Sequence, residues 1–195
     1  MTTPDRTRIK IHPERSIVDE APAYLASGLI AHVGIADANG PVVIPMTYQY
    51  DPATPRTLWL HGAHHSRLLQ AVGSGENICV TVTQADDLVY SKSALNHSVN
   101  YRSVVCFCRA SADQGTHEDQ RRELQAMISR YFPGRAVGKD YDVIPEKHLE
   151  TTMFVTLDIV DWSAKRRVGP PNGPGDLDPA VPGTAGVVEL RGAGR

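Results

Sequence analysis

The sequence predicts a mainly β protein, a barrel of about six strands with a few covering helices. Three observations carry this. Apolar residues alternate with polar ones in "NICVTVTQ" and again in "TTMFVTLDIVDWSAKRR", the period of a half-buried strand. Turn-forming stretches such as "DANG" and "DPATPR" separate apolar runs at short intervals. Only one long segment, Thr116 to Tyr131, has a clear helical period, and no internal repeat is present.

Taken in chain order, residues 1–15 form a polar N-terminal arm, and "SIVDEAPAYLASG" reads as a short helix. Pro22 is tolerated only in a first turn, so Asp19 is the expected N-cap and Gly28 the stop. "LIAHVGIA" and "PVVIPMTYQY" flank "DANG", and Asn39-Gly40 between apolar runs is a strong hairpin signal. "TLWLHG" is a third strand. It leads into a helix carrying Leu68, Leu69 and Val72, capped by Ser66 or His65 and closed by "GSG".

"NICVTVTQ" places Ile78, Val80 and Val82 against Cys79, Thr81 and Thr83, and "LVYSKSA" and "NYRSVVCFCRASA" read as two further strands. Thr116 and Asp119 resemble a capping box. The helix behind them carries a stripe of Leu124, Met127, Ile128 and Tyr131, and "FPG" ends it. In the last strand Met153, Val155, Leu157 and Ile159 share one face. Residues 168–195 are Pro/Gly-rich and aperiodic, a flexible tail by composition, although "VVEL" near its end can add to a sheet edge.

Composition removes several classes of function. With 195 residues, 41% hydrophobic content and a net charge of -2, the chain can bury one core, read as a domain over 16–167. No run approaches the roughly 20 apolar residues that cross a bilayer, and "MTTPDRTRIKIHPERS" contains no apolar signal segment, so a cytoplasmic, membrane-free setting is expected. Cys79, Cys106 and Cys108 sit in β-like runs and are read as buried reduced thiols. Near-neutral charge without a basic block argues against nucleic acid as a partner and leaves small-molecule chemistry.

"LHGAHHSRLLQAV", Leu60 to Val72, holds the densest chemistry. A strand entering a glycine turn and then a helix leaves free N–H groups that favour an anion, and Ser66 and Arg67 stand there with a hydroxyl donor and a planar cationic fork. His61, His64 and His65 invite a zinc reading. Gly62 breaks the helical i, i+4 spacing, however, and no further ligands complete a set, so no metal is expected. His61 ends its strand, where a neutral imidazole can donate to a ligand or shuttle a proton; His97 is a second candidate. Arg102, Lys165, Arg166 and Arg167 supply distant cations.

The ordered set "IPMTY", "LWLHGAHHSRLL", "CVTVT", "SALNHSVNYRSVV" and "DWSAKRR" resembles the pyridoxamine 5'-phosphate oxidase-like flavin-binding split barrels, in particular the nitroimidazole-resistance branch. The resemblance covers Ser16 to Arg167 and implies a six-stranded split barrel, dimeric, with FMN in a cleft between subunits. It implies that Ser66 and Arg67 hold the phosphate, with His61 and Gly62 beside them. Pro45, Met46, Thr47 and Tyr48 would edge the isoalloxazine ring. Asn100, Tyr101, Arg102 and Ser103 would approach the flavin, as would Trp162 and Arg166. Leu68 stands where the vitamin oxidases place a lysine, so their specific activity is not implied. The expected function is an FMN-dependent oxidoreductase that takes a hydride from a transiently bound NAD(P)H, since no G-x-G-x-x-G fingerprint is present. Electrons would pass to a small aromatic, nitro or quinone-like acceptor, with His61 as the candidate catalytic residue. The alternative is the same barrel loaded with haem or deazaflavin, or empty, as a binding or sensing protein.

Overall fold

The computed structural model describes residues 5–73 and 77–190. Its strands are β1 (Ala31–Asp37), β2 (Gly40–Met46), β3 (Thr57–Ala63), β4 (Ile78–Tyr90), β5 (Ser98–Ala110), β6 (Thr152–Arg167) and β7 (Gly186–Glu189). Its helices are α1 (Ala21–Ser27), α2 (Arg67–Gly73), α3 (His117–Tyr131) and α4 (Glu146–Thr151). The sheet runs β2-β1-β4-β5-β6-β3 and is antiparallel throughout, with β7 added along the far half of β4.

β6 turns this sheet into a curled half-barrel. Its first half pairs with β3, from Ala63↔Thr152 to Thr57↔Asp158, and its second half pairs with β5, from Ala110↔Leu157 to Tyr101↔Arg167. One strand therefore belongs to two walls. A register shift between Phe107 and Cys108 marks the bend. The concave side buries Val33, Ile35, Leu58, Leu60, Val80, Val82, Val104, Cys106, Val155 and Leu157, while Leu25 of α1 and Leu68, Leu69 and Val72 of α2 close it. Each fully buried aliphatic side chain contributes about 1.5–3 kcal/mol relative to its exposed state. The alternation read in "NICVTVTQ" is present: Ile78, Val80 and Val82 are buried and Thr83 is exposed.

Several local expectations change. "NICVTVTQ" and "LVYSKSA" are not two strands, because β4 continues to Tyr90 through a register shift between Ala85 and Asp87. The acidic pair between those two runs lies at a bulge. The hairpin read from Asn39-Gly40 is present; Ala38 and Asn39 form its turn, and only Gly40 enters the left-handed region, at φ 94°. The N-cap of α1 is Glu20 rather than Asp19, because Val18–Glu20 form a short 3-10 turn first; Gly28 is the C-cap. "GSG", expected to close α2, lies largely outside the described residues.

α3 begins with the capping box Thr116/Asp119 and packs over the outer side of β3. Its Arg130 donates to the carbonyls of Ala26, Gly28 and Tyr48, binding α3 to the end of α1 and to the segment after β2. α4, which has no signal in the sequence reading, leads directly into β6. Beyond Val168 the chain lies against the barrel through polar contacts. Asp176 accepts from Ser91 Oγ and Lys92 N, Lys92 Nζ reaches the carbonyls of Asp178 and Val181, and β7 pairs with Asp87–Tyr90. Composition measures apolar burial, which is not what holds this segment. Among the described residues no helix is long and apolar enough to cross a membrane.

Candidate functional site

The sequence-predicted site residues fall into two groups at opposite ends of β6. Ala63, just before the Ser66/Arg67 turn, pairs with Thr152, and Arg102 pairs with Arg166, fourteen residues further along the same strand.

At the first end, β3 delivers the chain into the turn and α2 begins. Ser66 Oγ accepts the Leu69 N–H at 3.3 Å, the hydrogen bond of an N-cap. Arg67 extends across to the β1–β2 hairpin, where Nε and Nη2 donate to Asp37 at 2.7 and 2.5 Å and Nη2 also meets the Gly40 carbonyl at 3.3 Å. The Arg67 guanidinium, with the Asn39 N–H, holds the Asp37 carboxyl below its ordinary range. Arg67 Nη1 has no hydrogen-bond partner among the described residues, and nearly half of the side chain is exposed. Gly62 lets α2 settle on β3: a Cβ there would come 2.9 Å from Leu69 Cδ1. At the end of β2 and just beyond it, Pro45 and Thr47 are exposed, Met46 is half-buried against the core and Tyr48 is fully buried. The Tyr48 hydroxyl donates to the Leu25 carbonyl at 2.5 Å, so of the "IPMTY" segment Pro45 and Thr47 face outward.

His61 lies on the outer face of β3, beneath α3. Its ring stacks on Phe154 at 5.9 Å, within a small pocket that also holds Glu123 and Met127. Burial pushes its pKa below the ordinary histidine value, so the imidazole is neutral near pH 7, while burial raises the Glu123 carboxyl. Neither His61 ring nitrogen has a hydrogen-bond partner among the described residues.

At the second end, Asn100 is buried, donating to Asp87 at 2.8 Å and accepting from Arg167. Arg102 grips Asp86 through Nε and Nη2 at 3.1 and 2.5 Å and lies over the Tyr24 ring at 5.1 Å. Arg166 reaches Glu20 at 3.1 Å and the Tyr24 hydroxyl at 3.0 Å. Tyr24 thus links Arg102 and Arg166, which sequence reasoning missed because Tyr24 of α1 and its N-cap Glu20 are far away in the chain. Ser103 shares a hydrogen bond with Thr83 at 2.9 Å, and Tyr101 is half-buried. Trp162 packs against the core with the Arg56 guanidinium 3.9 Å over its ring. His97 is exposed, its Nδ1 3.3 Å from the Ser93 carbonyl. Among the described residues no cluster of three or more His, Cys, Asp or Glu could hold a metal ion. The cysteines are unpaired; Cys106 and Cys108 are buried, with the Cys106 thiol pushed up to about 12, while Cys79 is only half-buried.

Residues 18–166, the barrel and its helices, match the Pyridoxamine 5'-phosphate oxidase family. The chain belongs to that family. Within the pyridoxamine 5'-phosphate oxidase family fold, the curled six-stranded sheet is a split β-barrel. The structure is similar to that of the flavocytochrome Anf3 from Azotobacter vinelandii, with a TM-score of 0.77 and 29% identity over 96% of this chain and 85% of that one. It is also similar to the FAD and haem binding protein from Mycobacterium smegmatis, with a TM-score of 0.76 and 28% identity over 90% and 84% of the two chains. A putative 5-nitroimidazole antibiotic resistance protein from Bacteroides thetaiotaomicron shares the fold at TM-score 0.53 and 20% identity, covering 80% of this chain and 84% of that one. No curated protein matches the chain in sequence. The family match stops short of the N-terminal arm and of everything from Arg167 onward.

Proposed function

We propose that this chain is a flavin-dependent oxidoreductase of the split-barrel type, working as a homodimer in the cytoplasm. The observation that carries the reading is the likeness, over nine-tenths or more of the chain, to a flavocytochrome and to an FAD and haem binding protein. The donor set fits a flavin phosphate: the exposed Arg67 Nη1 has two N–H donors beyond those engaged by Asp37 and Gly40, and Ser66 stands beside it. A bound flavin supplies hydride and single-electron transfer. Ser66 and Arg67 would orient its phosphate, with Asp37 fixing the guanidinium. Pro45 and Thr47 offer an outward edge for the ring. Asn100, Tyr101, Arg102, Ser103, Trp162 and Arg166 lie at the other end of β6, so in the dimer they would complete the site from the partner subunit. That is why a homodimer belongs to this reading. His61, half-buried beneath α3 and neutral near pH 7, would accept or relay a proton through its unpartnered ring nitrogens. Reduced nicotinamide is the proposed donor, and a small aromatic, nitro or quinone-like molecule the proposed acceptor.

FMN is the form read from the sequence; the FAD protein among the structural relatives gives FAD equal standing. Titration of the apoprotein with FMN, FAD and riboflavin, followed by flavin fluorescence, tests the assignment. Nucleotide binding well above riboflavin binding is expected. Equal, weak binding of all three would remove the phosphate site from Ser66 and Arg67.

A second reading is favoured by the same two relatives: haem held beside the flavin, with the chain passing electrons between the two. The visible spectrum of the purified protein separates these readings. A Soret band together with flavin absorption supports the second, flavin absorption alone the first, and neither band removes both.

A further inference from the structure

The N-terminal arm and the start of the C-terminal segment enclose a cleft of about 410 Å³ outside the family-matched residues, apart from Arg166. Its walls carry three arginines, Arg15, Arg166 and Arg167, and one carboxylate, Glu14, together with Ile17 and Pro170. This volume lies in the range of small-molecule sites.

The three cations differ in how far they are neutralised, and Arg167 is the one without a carboxylate partner among the described residues. Arg167 is 7% exposed, and the donors it engages go to neutral acceptors: Asn100 Oδ1, the Gly169 carbonyl and the Pro170 carbonyl at 3.2 Å. No carboxylate pairs with it among the described residues; Asp87 is reached only through Asn100. Burial and the like charge of Arg15 both lower the pKa of Arg167. Arg15 has only Glu14, 3.8 Å away, and the same Glu14 oxygen is 3.0 Å from His12 Nδ1. Arg166 uses Nη1 on Glu20 and Tyr24, which leaves Nη2 and Nε without partners among the described residues. A buried guanidinium without a counter-ion is costly, and neighbouring cations raise that cost. An anion in the cleft removes both penalties and satisfies the remaining donors.

We infer that this cleft is a binding site for a phosphoryl group, either a free phosphate or pyrophosphate anion or the phosphate ester of a nucleotide, held by Arg15, Arg166 and Arg167. It lies at the opposite end of β6 from Ser66 and Arg67 in the same chain and does not rest on the flavin reading; Arg166, which that reading brings toward the flavin from the partner subunit, is common to both, whereas Arg15 and Arg167 belong to this cleft alone. The competing role for Arg167 is a strut joining β6 to Asn100 and Pro170, so the test turns on Arg15, which is half-buried and whose side chain pairs only with Glu14, 3.8 Å away, among the described residues.

The purified protein, with whatever cofactor it carries, is titrated with sodium pyrophosphate and with ADP by calorimetry at constant ionic strength set with chloride. Saturable binding is expected, weakened roughly tenfold or more in Arg15→Glu, the loss of a charge-assisted contact, with an unchanged circular dichroism spectrum and unchanged visible absorption. Tighter ADP binding assigns the site to nucleotides, and tighter pyrophosphate binding assigns it to the free anion. Absence of saturable binding of either probe at millimolar concentration would overturn the inference. So would binding that Arg15→Glu leaves intact but Arg67→Ala abolishes. A protein without flavin absorption that still binds pyrophosphate through Arg15 removes the flavin reading and keeps this one.

Discussion

Arg67 and Asp37 face each other between α2 and the β1–β2 hairpin, joined by two hydrogen bonds of 2.7 and 2.5 Å. The pair fixes the guanidinium plane and also places a carboxylate beside the position proposed for a flavin phosphate. Arg67→Ala is expected to weaken FMN or FAD roughly tenfold or more while leaving riboflavin unchanged, as for a lost hydrogen bond to a charged group. Asp37→Asn retains a partner for Arg67 and removes the competing charge, so nucleotide binding is expected to tighten. Parallel loss of riboflavin binding in Arg67→Ala would show a collapsed turn instead.

His61 gives a pH dependence of defined sign. Burial keeps its folded pKa below about 6.5, so as pH falls below that value the unfolded chain takes up the proton first, and stability drops toward the folded pKa. Glu123, raised by burial in the same pocket, works oppositely, its contribution being lost as pH rises through its folded pKa. His61→Phe retains a ring against Phe154 and removes only the titration. The melting temperature of the variant should fall less than that of the parent between neutral and mildly acidic pH. Parallel curves would mean that His61 titrates as a free imidazole.

Gly28 sits where α1 ends against β4. A Cβ there would come 2.4 Å from Val82 Cγ1 and 2.6 Å from the Tyr48 hydroxyl, which would force the Tyr48–Leu25 hydrogen bond open. Gly28→Ala is expected to cost about 1–3 kcal/mol in urea unfolding, as for an overpacked core. An unchanged midpoint would show that α1 shifts freely.

The outer faces of β4 and β5 align Cys79 with Phe107, Thr81 with Val105 and Thr83 with Ser103. The proposed homodimer is expected to join through these two strands. Val105→Glu places a charge in the middle of that face, and light scattering is expected to move from twice 21.3 kDa toward a single chain, with loss of flavin. A variant that remains dimeric moves the contact to another face.

Much of the barrel is legible in the sequence because alternation in β4 and β6 and the Thr116/Asp119 cap are local signals with one physical meaning. The β4 bulge is not. Asp86 and Asp87 fall between two runs that read as separate strands, and their partners Arg102 and Asn100 on β5 are distant in sequence. The site shows the same limit. Ser66 and Arg67 are readable as residue types, but Asp37 as the partner of Arg67, Tyr24 as the link between Arg102 and Arg166, and Arg130 over the carbonyl ends of α1 depend on contacts between distant segments. The cover over His61 comes from α3, more than fifty residues downstream, and no spacing rule announces it.

Asp176 accepts from Ser91 Oγ, Lys92 N and Gly173 N, which makes it the polar anchor of the C-terminal segment. Asp176→Ala leaves three donors without their acceptor. Faster proteolysis between Val168 and Gly186 is expected, together with faster amide exchange in β7, while exchange in β5 and β6 stays slow. Uniform acceleration across the sheet would show that the segment is integral to the barrel.

The double membership of β6 also bears on how the chain is made. β3 obtains its strand partner from Thr152–Asp158, about ninety-five residues later, so during synthesis the first wall stands with an open edge until most of the chain has left the ribosome. Closure then waits on the last long strand, a non-local pairing of the kind that slows folding. Nascent chains arrested before Thr152 should therefore leave the β3 amides unprotected and bind holdase chaperones, and release of the remaining strand should end both. In this protein the final third of the message determines when the first third becomes safe from aggregation.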